Sequence, residues 1–175
     1  MDTNTLISTW KLDAAHSEIE FKVKHLMINN VKGSFGQFDV HVESDGDDFK
    51  SPKISFTAKA DSINTGNEQR DQHLKSADFF DVATYPEIRF EGRSYNDGVL
   101  DGDLTLHGVT NPVKLHVEFG GIAKDPWGNK KAGFSITGKI NRKDFGLSWN
   151  AALETGGVLV SEEVKIQAEI QLIQG

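Results

Sequence analysis

An all-β, eight-stranded antiparallel barrel in one domain spanning residues 1–175 is the fold this sequence predicts. Three observations predict it. Short segments along the whole chain alternate apolar and polar residues with period two, the signature of half-buried strands. Clusters of Gly, Asn, Asp and Pro separate them and supply turns. A chain of 175 residues suits one domain, and about eight strands suit a closed barrel or a sandwich, of which the barrel leaves no sheet edge exposed.

The segments follow in order. Ile19, Phe21 and Val23 alternate with Glu20 and Lys22; Phe38, Val40 and Val42 alternate with Asp39 and His41. Ile54, Phe56, Ala58 and Ala60 form a third apolar row, and Ile88 and Phe90 flank Arg89. Leu100, Leu104 and Leu106 precede Val113, Leu115, Val117 and Phe119, with His107-Gly108 and Asn111-Pro112 between them. Pairing Leu104 with Leu115 and Leu106 with Val113 sets apolar against apolar, which predicts a hairpin in that register. Phe134, Ile136 and Ile140 come next, and Val164, Ile166, Ala168, Ile170 and Leu172 alternate with Lys165, Gln167, Glu169 and Gln171. The stretch from Asn67 to Ser76 breaks the pattern with helix formers. It predicts a short helix between strands, with a second helical turn at Ala77–Val82 before Tyr85-Pro86 resets the chain to extended.

Composition excludes several classes. There is no cysteine, so there are no disulfides or thiolate metal sites. The six histidines show no ligand spacing, and no G-x-G-x-x-G, P-loop or nucleophile-elbow motif occurs; no catalytic residue, metal or cofactor is expected. Nineteen Lys+Arg against 26 Asp+Glu give a formal charge of -7. With no local Lys/Arg cluster in the sequence, that charge predicts no general attraction to nucleic acid or anionic membranes. No apolar run is long enough to span a membrane. Met1–Trp10 lacks the basic and apolar regions of a secretory signal, which predicts a cytoplasmic location unless an export signal has been removed.

Several ordered motifs then carry a resemblance. They are Trp10-Lys11-Leu12-Asp13-Ala14-Ala15-His16-Ser17, Val31-Lys32-Gly33-Ser34-Phe35, Arg70-Asp71-Gln72-His73-Leu74-Lys75-Ser76-Ala77-Asp78-Phe79-Phe80-Asp81, Tyr85-Pro86-Glu87-Ile88-Arg89-Phe90, Asn141-Arg142-Lys143-Asp144-Phe145-Gly146-Leu147 and Gly157-Val158-Leu159-Val160. Their order and spacing resemble the YceI-like family from about Trp10 to about Ile170. The resemblance implies a lipocalin-like barrel that encloses an isoprenoid chain or isoprenoid quinone in an apolar tunnel. It implies a binding protein, a carrier or store, rather than an enzyme.

Alternation names the candidate tunnel wall: Phe21, Val23, His25, Phe38, Val40, Phe56, Phe90, Leu104, Leu115, Val117, Phe119, Phe134, Ile136, Ile140, Ile166 and Ile170. Eleven phenylalanines against two tyrosines suit a dry interior, because a phenylalanine brings no polar tip that needs a partner. Arg70, His73, Arg142 and Trp149 are candidates for a tunnel mouth. For Arg70, Asp71 and His73 the competing reading is a local hydrogen-bonded cluster, and for Arg142 an anchor at a strand end. His41 and His116 have the outward parity and are read as solvated. The same alternation also suits a filled core, so a solid, stress-related interaction barrel and an enzyme acting on such a lipid stand as alternatives. A homodimer through the outer barrel faces is compatible with the pattern.

Overall fold

The computed structural model describes residues 7–26, 28–46, 48–147 and 160–175. The strands are β1 (Ile7–Leu12), β2 (Glu18–His25), β3 (Asn29–Phe35), β4 (Phe38–Asp45), β5 (Asp48–Lys59), β6 (Ile63–Asn64), β7 (Glu87–Asn96), β8 (Val99–Leu106), β9 (Val109–Lys124), β10 (Lys130–Asn141) and β11 (Glu163–Gln174). One α-helix, α1 (Glu68–Lys75), lies between β6 and β7.

All strand pairings are antiparallel, and they close a ring of eight staves. Strand β1 pairs with β4 on one side and with the C-terminal end of β11 on the other, through Trp10↔Val42 and Trp10↔Gln174. The remainder of β11 pairs with β2, through Ile166↔Phe21. Thus β1 and β2 are two halves of one bent stave, as are β3 with β4 and β5 with β6. The last two bends face each other: Gly36 N–H donates to Ser62 O at 3.1 Å and Lys59 N–H to Gln37 O at 2.9 Å. Backbone groups freed from the ladder by the bends are therefore paired again.

The β8–β9 hairpin differs from the expected register. Leu106 faces Val109 and Leu100 faces Leu115, with Leu104 opposite Asn111. The turn is His107-Gly108, with φ of 55° and 73°, a two-residue turn whose two left-handed residues match the twist of the strands. It leaves Pro112 inside β9 and shifts the pairing by an even number of residues. The inward faces predicted from alternation are preserved for that reason.

The interior divides into two apolar clusters. One gathers Ala58, Ile88, Phe90, Leu104, Leu106 and Phe145 toward the α1 end. The other gathers Trp10, Val40, Val42, Phe49, Ala168, Ile170 and Leu172 at the opposite end. Trp10 is fully buried there, and its indole N–H donates to Ser44 Oγ at 2.8 Å, so the one polar atom of the side chain is satisfied. Trp10, Phe49 and Phe134 pack at ring separations of 5.2 Å and floor this end of the barrel.

Candidate functional site: a two-chambered apolar cavity

The barrel is hollow between these clusters. A larger chamber of about 510 Å³ lies at the α1 end and a smaller one of about 140 Å³ lies toward Trp10. Ile19, Phe56, Leu104 and Ile166 belong to the walls of both and form a waist between them. The four come from β2, β5, β8 and β11, so the constriction is built from separate staves. The larger chamber is in the size range of small-molecule sites. The smaller is close to engineered apolar cavities of roughly 150 Å³ that stay dry.

Most of the predicted wall lies where alternation puts it. Phe21, Val23, His25 and Ile140 line the larger chamber; Val40, Phe90, Leu115, Val117, Phe134, Ile136 and Ile170 line the smaller; Phe56, Leu104 and Ile166 line both. Phe38 and Phe119 line neither. Phe38 packs its ring 6.1 Å from Phe56, between the two clusters. Phe119 is 44% exposed and stacks on Phe134 at 5.1 Å. It also lies 5.5 Å from Phe49, so it keeps the inward parity and packs on the rings that close this end; the strand bulges just beyond it, where Gly121 faces Gly133 and Gly120 is left unmatched.

The candidate wall omitted several residues that line the chambers. Ile19, Ile88, Leu106 and Val164 were already on the apolar rows of their strands, as were Ile54, Leu100 and Leu172 of the smaller chamber, and parity on β3 adds Val31 and Phe35. Leu74, Phe79, Phe80, Leu147 and Val160 come from α1 and the connections, where no strand period applies. The adjacent Phe79-Phe80 pair in a polar stretch was the available signal. Phe80 meets Phe35 edge-on at 5.9 Å, and Phe35 lies 5.6 Å from Phe21, so the connection is clamped onto the barrel by a row of rings.

The mouth is marked by exposed Asn67, Gln69 and Arg70, which line the larger chamber beside His25. Asn67 caps α1, its side chain accepting from Arg70 N–H at 3.0 Å. Arg70 donates from Nε to Thr65 Oγ1 at 2.7 Å and from Nη2 to Thr65 O at 2.6 Å. Asp71 Oδ1 accepts from Thr65 N–H at 2.9 Å and from the Thr65 hydroxyl at 2.5 Å. The three residues tie α1 to the end of β6, the local cluster that was the competing reading for Arg70 and Asp71. His73 pairs with Asp78 Oδ2 at 2.9 Å and sets its ring edge-on to Phe79.

Arg142 is buried, 3% exposed, and borders the larger chamber. Its guanidinium donates from Nε to Ser161 O at 2.9 Å, from Nη1 to Leu147 O at 2.6 Å and from Nη2 to Val160 O at 3.3 Å. It thereby joins the end of β10 to the start of β11. Burial lowers its pKa, and the nearby Glu162 carboxylate opposes that shift. Trp149, the fourth mouth candidate, lies outside the described residues. His41 and His116 are exposed on the outer wall.

Among the described residues no group of three or more His, Asp or Glu could hold a metal ion, and no helix is long and apolar enough to cross a membrane. What the wall offers is nearly continuous hydrocarbon, with polar groups gathered at one end. That arrangement suits an elongated apolar molecule whose polar end stays at the mouth.

Comparison with known proteins agrees with this geometry. The YceI-like domain model matches residues 10–172. A UPF0312 protein of Staphylococcus aureus (strain N315) is 46% identical over 166 residues, covering 94% of this chain and 97% of that protein. The crystal structure of the Campylobacter jejuni YceI protein superposes with a TM-score of 0.75 at 34% identity, covering 100% of this chain and 99% of that one. A polyisoprenoid binding domain from Saccharophagus degradans shares the fold with a TM-score of 0.66 at 16% identity, over 95% of this chain and 98% of that one. With an eight-staved antiparallel barrel, one inter-strand helix and a family match over nearly its whole length, this chain belongs to the YceI-like family.

Proposed function

We infer that this protein binds an extended isoprenoid lipid, including isoprenoid quinones, along its barrel axis and serves as a carrier or store. The observation that carries this reading is the pair of apolar chambers sharing the Ile19, Phe56, Leu104 and Ile166 wall, with most of the polar side chains gathered in the larger one. The family and the polyisoprenoid-binding neighbour support it. Burial of chain carbons supplies the driving force: each CH₂ gives about 0.8 kcal/mol, so a five-carbon isoprene unit gives roughly 4 kcal/mol gross. Ordering the flexible chain offsets part of that gain. No directional contact is required in the chambers, and selectivity for chain length follows from their depth.

The reading makes the protein a binder rather than an enzyme. Arg70 and Asp71 are engaged with Thr65, and His73 with Asp78. Native mass spectrometry after mild purification tests it. An adduct of lipid mass, restored when polyprenyl lipid is added to stripped protein, is the expected result. Protein that stays at bare mass after such addition overturns the reading.

A further inference from the structure

The linear sequence holds no basic cluster, but the strand register assembles one. Lys139 faces Lys165, Lys165 faces Lys22 and Lys22 faces Lys32, a row of four lysines directly opposed across β10, β11, β2 and β3. All four have the outward parity, and among the described residues none of them makes an ion pair. Lys22, Lys139 and Lys165 border one outer hollow together with Lys114, which has Asp101 at 4.0 Å, and with one carboxylate, Glu20. Like charges directly opposed across a sheet destabilise it. Glu20 and Glu163 stand diagonal to the row on the same face, but the four lysines themselves oppose one another directly in a chain of formal charge -7.

A second feature lies at the end of the same staves. The β2–β3 hairpin tip carries Ile28, 82% exposed, and Leu26, 39% exposed and held at a left-handed φ of 55°. The tip adjoins the cavity mouth: His25 and Val31, on either side of it, line the larger chamber. Leu26 is four residues beyond Lys22, about 13 Å along the strand. An apolar tip ahead of a basic band matches an anionic bilayer, where apolar side chains enter the boundary region and lysines meet the headgroups.

We propose that the Lys22–Lys32–Lys139–Lys165 ladder and the Leu26/Ile28 tip form a docking face for an anionic lipid surface, which sets the cavity mouth against the bilayer. The overall negative charge holds the rest of the barrel off the membrane and orients the molecule.

Vesicle flotation tests this, with phosphatidylcholine vesicles prepared with and without phosphatidylglycerol. The protein is expected to float with the anionic vesicles, to lose that binding in high salt and to ignore neutral vesicles. Each lysine removed should cost about fivefold, so Lys22→Gln/Lys139→Gln/Lys165→Gln together should weaken binding on the order of 100-fold. The matching triple Arg variant should retain it, and Ile28→Ser should weaken it with the ladder intact. Equal binding to both vesicle types, or an unchanged triple Gln variant, overturns the proposal. Double-stranded DNA binding as tight as vesicle binding does so too, since it would make the face a polyanion site. Native mass of the same variants reads lipid loading separately. Lost flotation by the wild type with loading retained overturns the docking face alone.

Discussion

Phe21 lays its ring over Gly33, its cross-strand partner on β3, so closely that a Cβ at Gly33 would fall inside the ring's own contact distance. Gly33 has no left-handed φ, so the requirement for glycine is purely one of space. The pair sets the position of one aromatic wall of the larger chamber.

Gly33→Ala is therefore expected to cost about 1–3 kcal/mol through overpacking. It should also push the Phe21 ring toward the chamber and lower lipid loading. Urea unfolding and native mass spectrometry read the two effects. Adding Phe21→Leu should recover stability, because the shorter side chain frees the space above residue 33.

The waist makes a prediction about chain length. Ile166→Trp fills the constriction shared by the two chambers. A lipid long enough to pass it loses about 0.8 kcal/mol gross for each CH₂ kept out of the smaller chamber. A lipid short enough to stay above it loses far less. Competition between short and long polyprenols on wild type and variant checks the difference.

Arg142 holds three carbonyls in a buried place, so Arg142→Met leaves them without their donor. A loss above about 1.5–3 kcal/mol is expected, the range for one hydrogen bond to a charged group, because three are removed. Arg142→Lys should recover only part, since one ammonium lacks the planar fork that reaches all three. Equilibrium unfolding in urea measures both.

Acid sensitivity should have an identifiable source near the closed end of the barrel. Lys131 Nζ lies 2.7 Å from Asp13 Oδ2 and 3.8 Å from Asp125 Oδ2, and His16 Nδ1 is 2.8 Å from Asp13. The Lys131 hydrogen bond holds the Asp13 carboxyl below its ordinary value of 3.8, against an opposing desolvation effect. The unfolded chain thus takes up the proton first as pH falls. The contribution of Asp13 is present in full above its unfolded pKa and is lost as pH drops through the lower folded value. Asp13→Asn should be less stable than wild type at neutral pH, and the gap should narrow in acid. Thermal melts across pH check this.

Much of the barrel was legible because its signal is local. Alternation in segments such as Val164–Leu172 identifies strands and faces one residue at a time, and the faces survive an even-numbered slip of the β8–β9 register. What depends on pairing was not legible. The bends at Asp13–Ser17, Gly36–Gln37 and Ala60–Ser62 interrupt staves without ending them. The bulge at Gly120, just beyond Phe119, depends on the partner strand. The waist and the lysine row exist only because residues distant in sequence are set opposite one another. Phe79, Phe80 and Val160 reach the cavity from connections, where periodicity is silent.

Methyl-labelled NMR with a bound polyprenol tests the central claim most directly. The account predicts intermolecular contacts from the isoprenoid chain to Ile19, Leu104 and Ile166 at the waist, reaching Ile170 for the longer chains. Contacts confined to the outer wall, or a chain that leaves every waist methyl undisturbed, would contradict it.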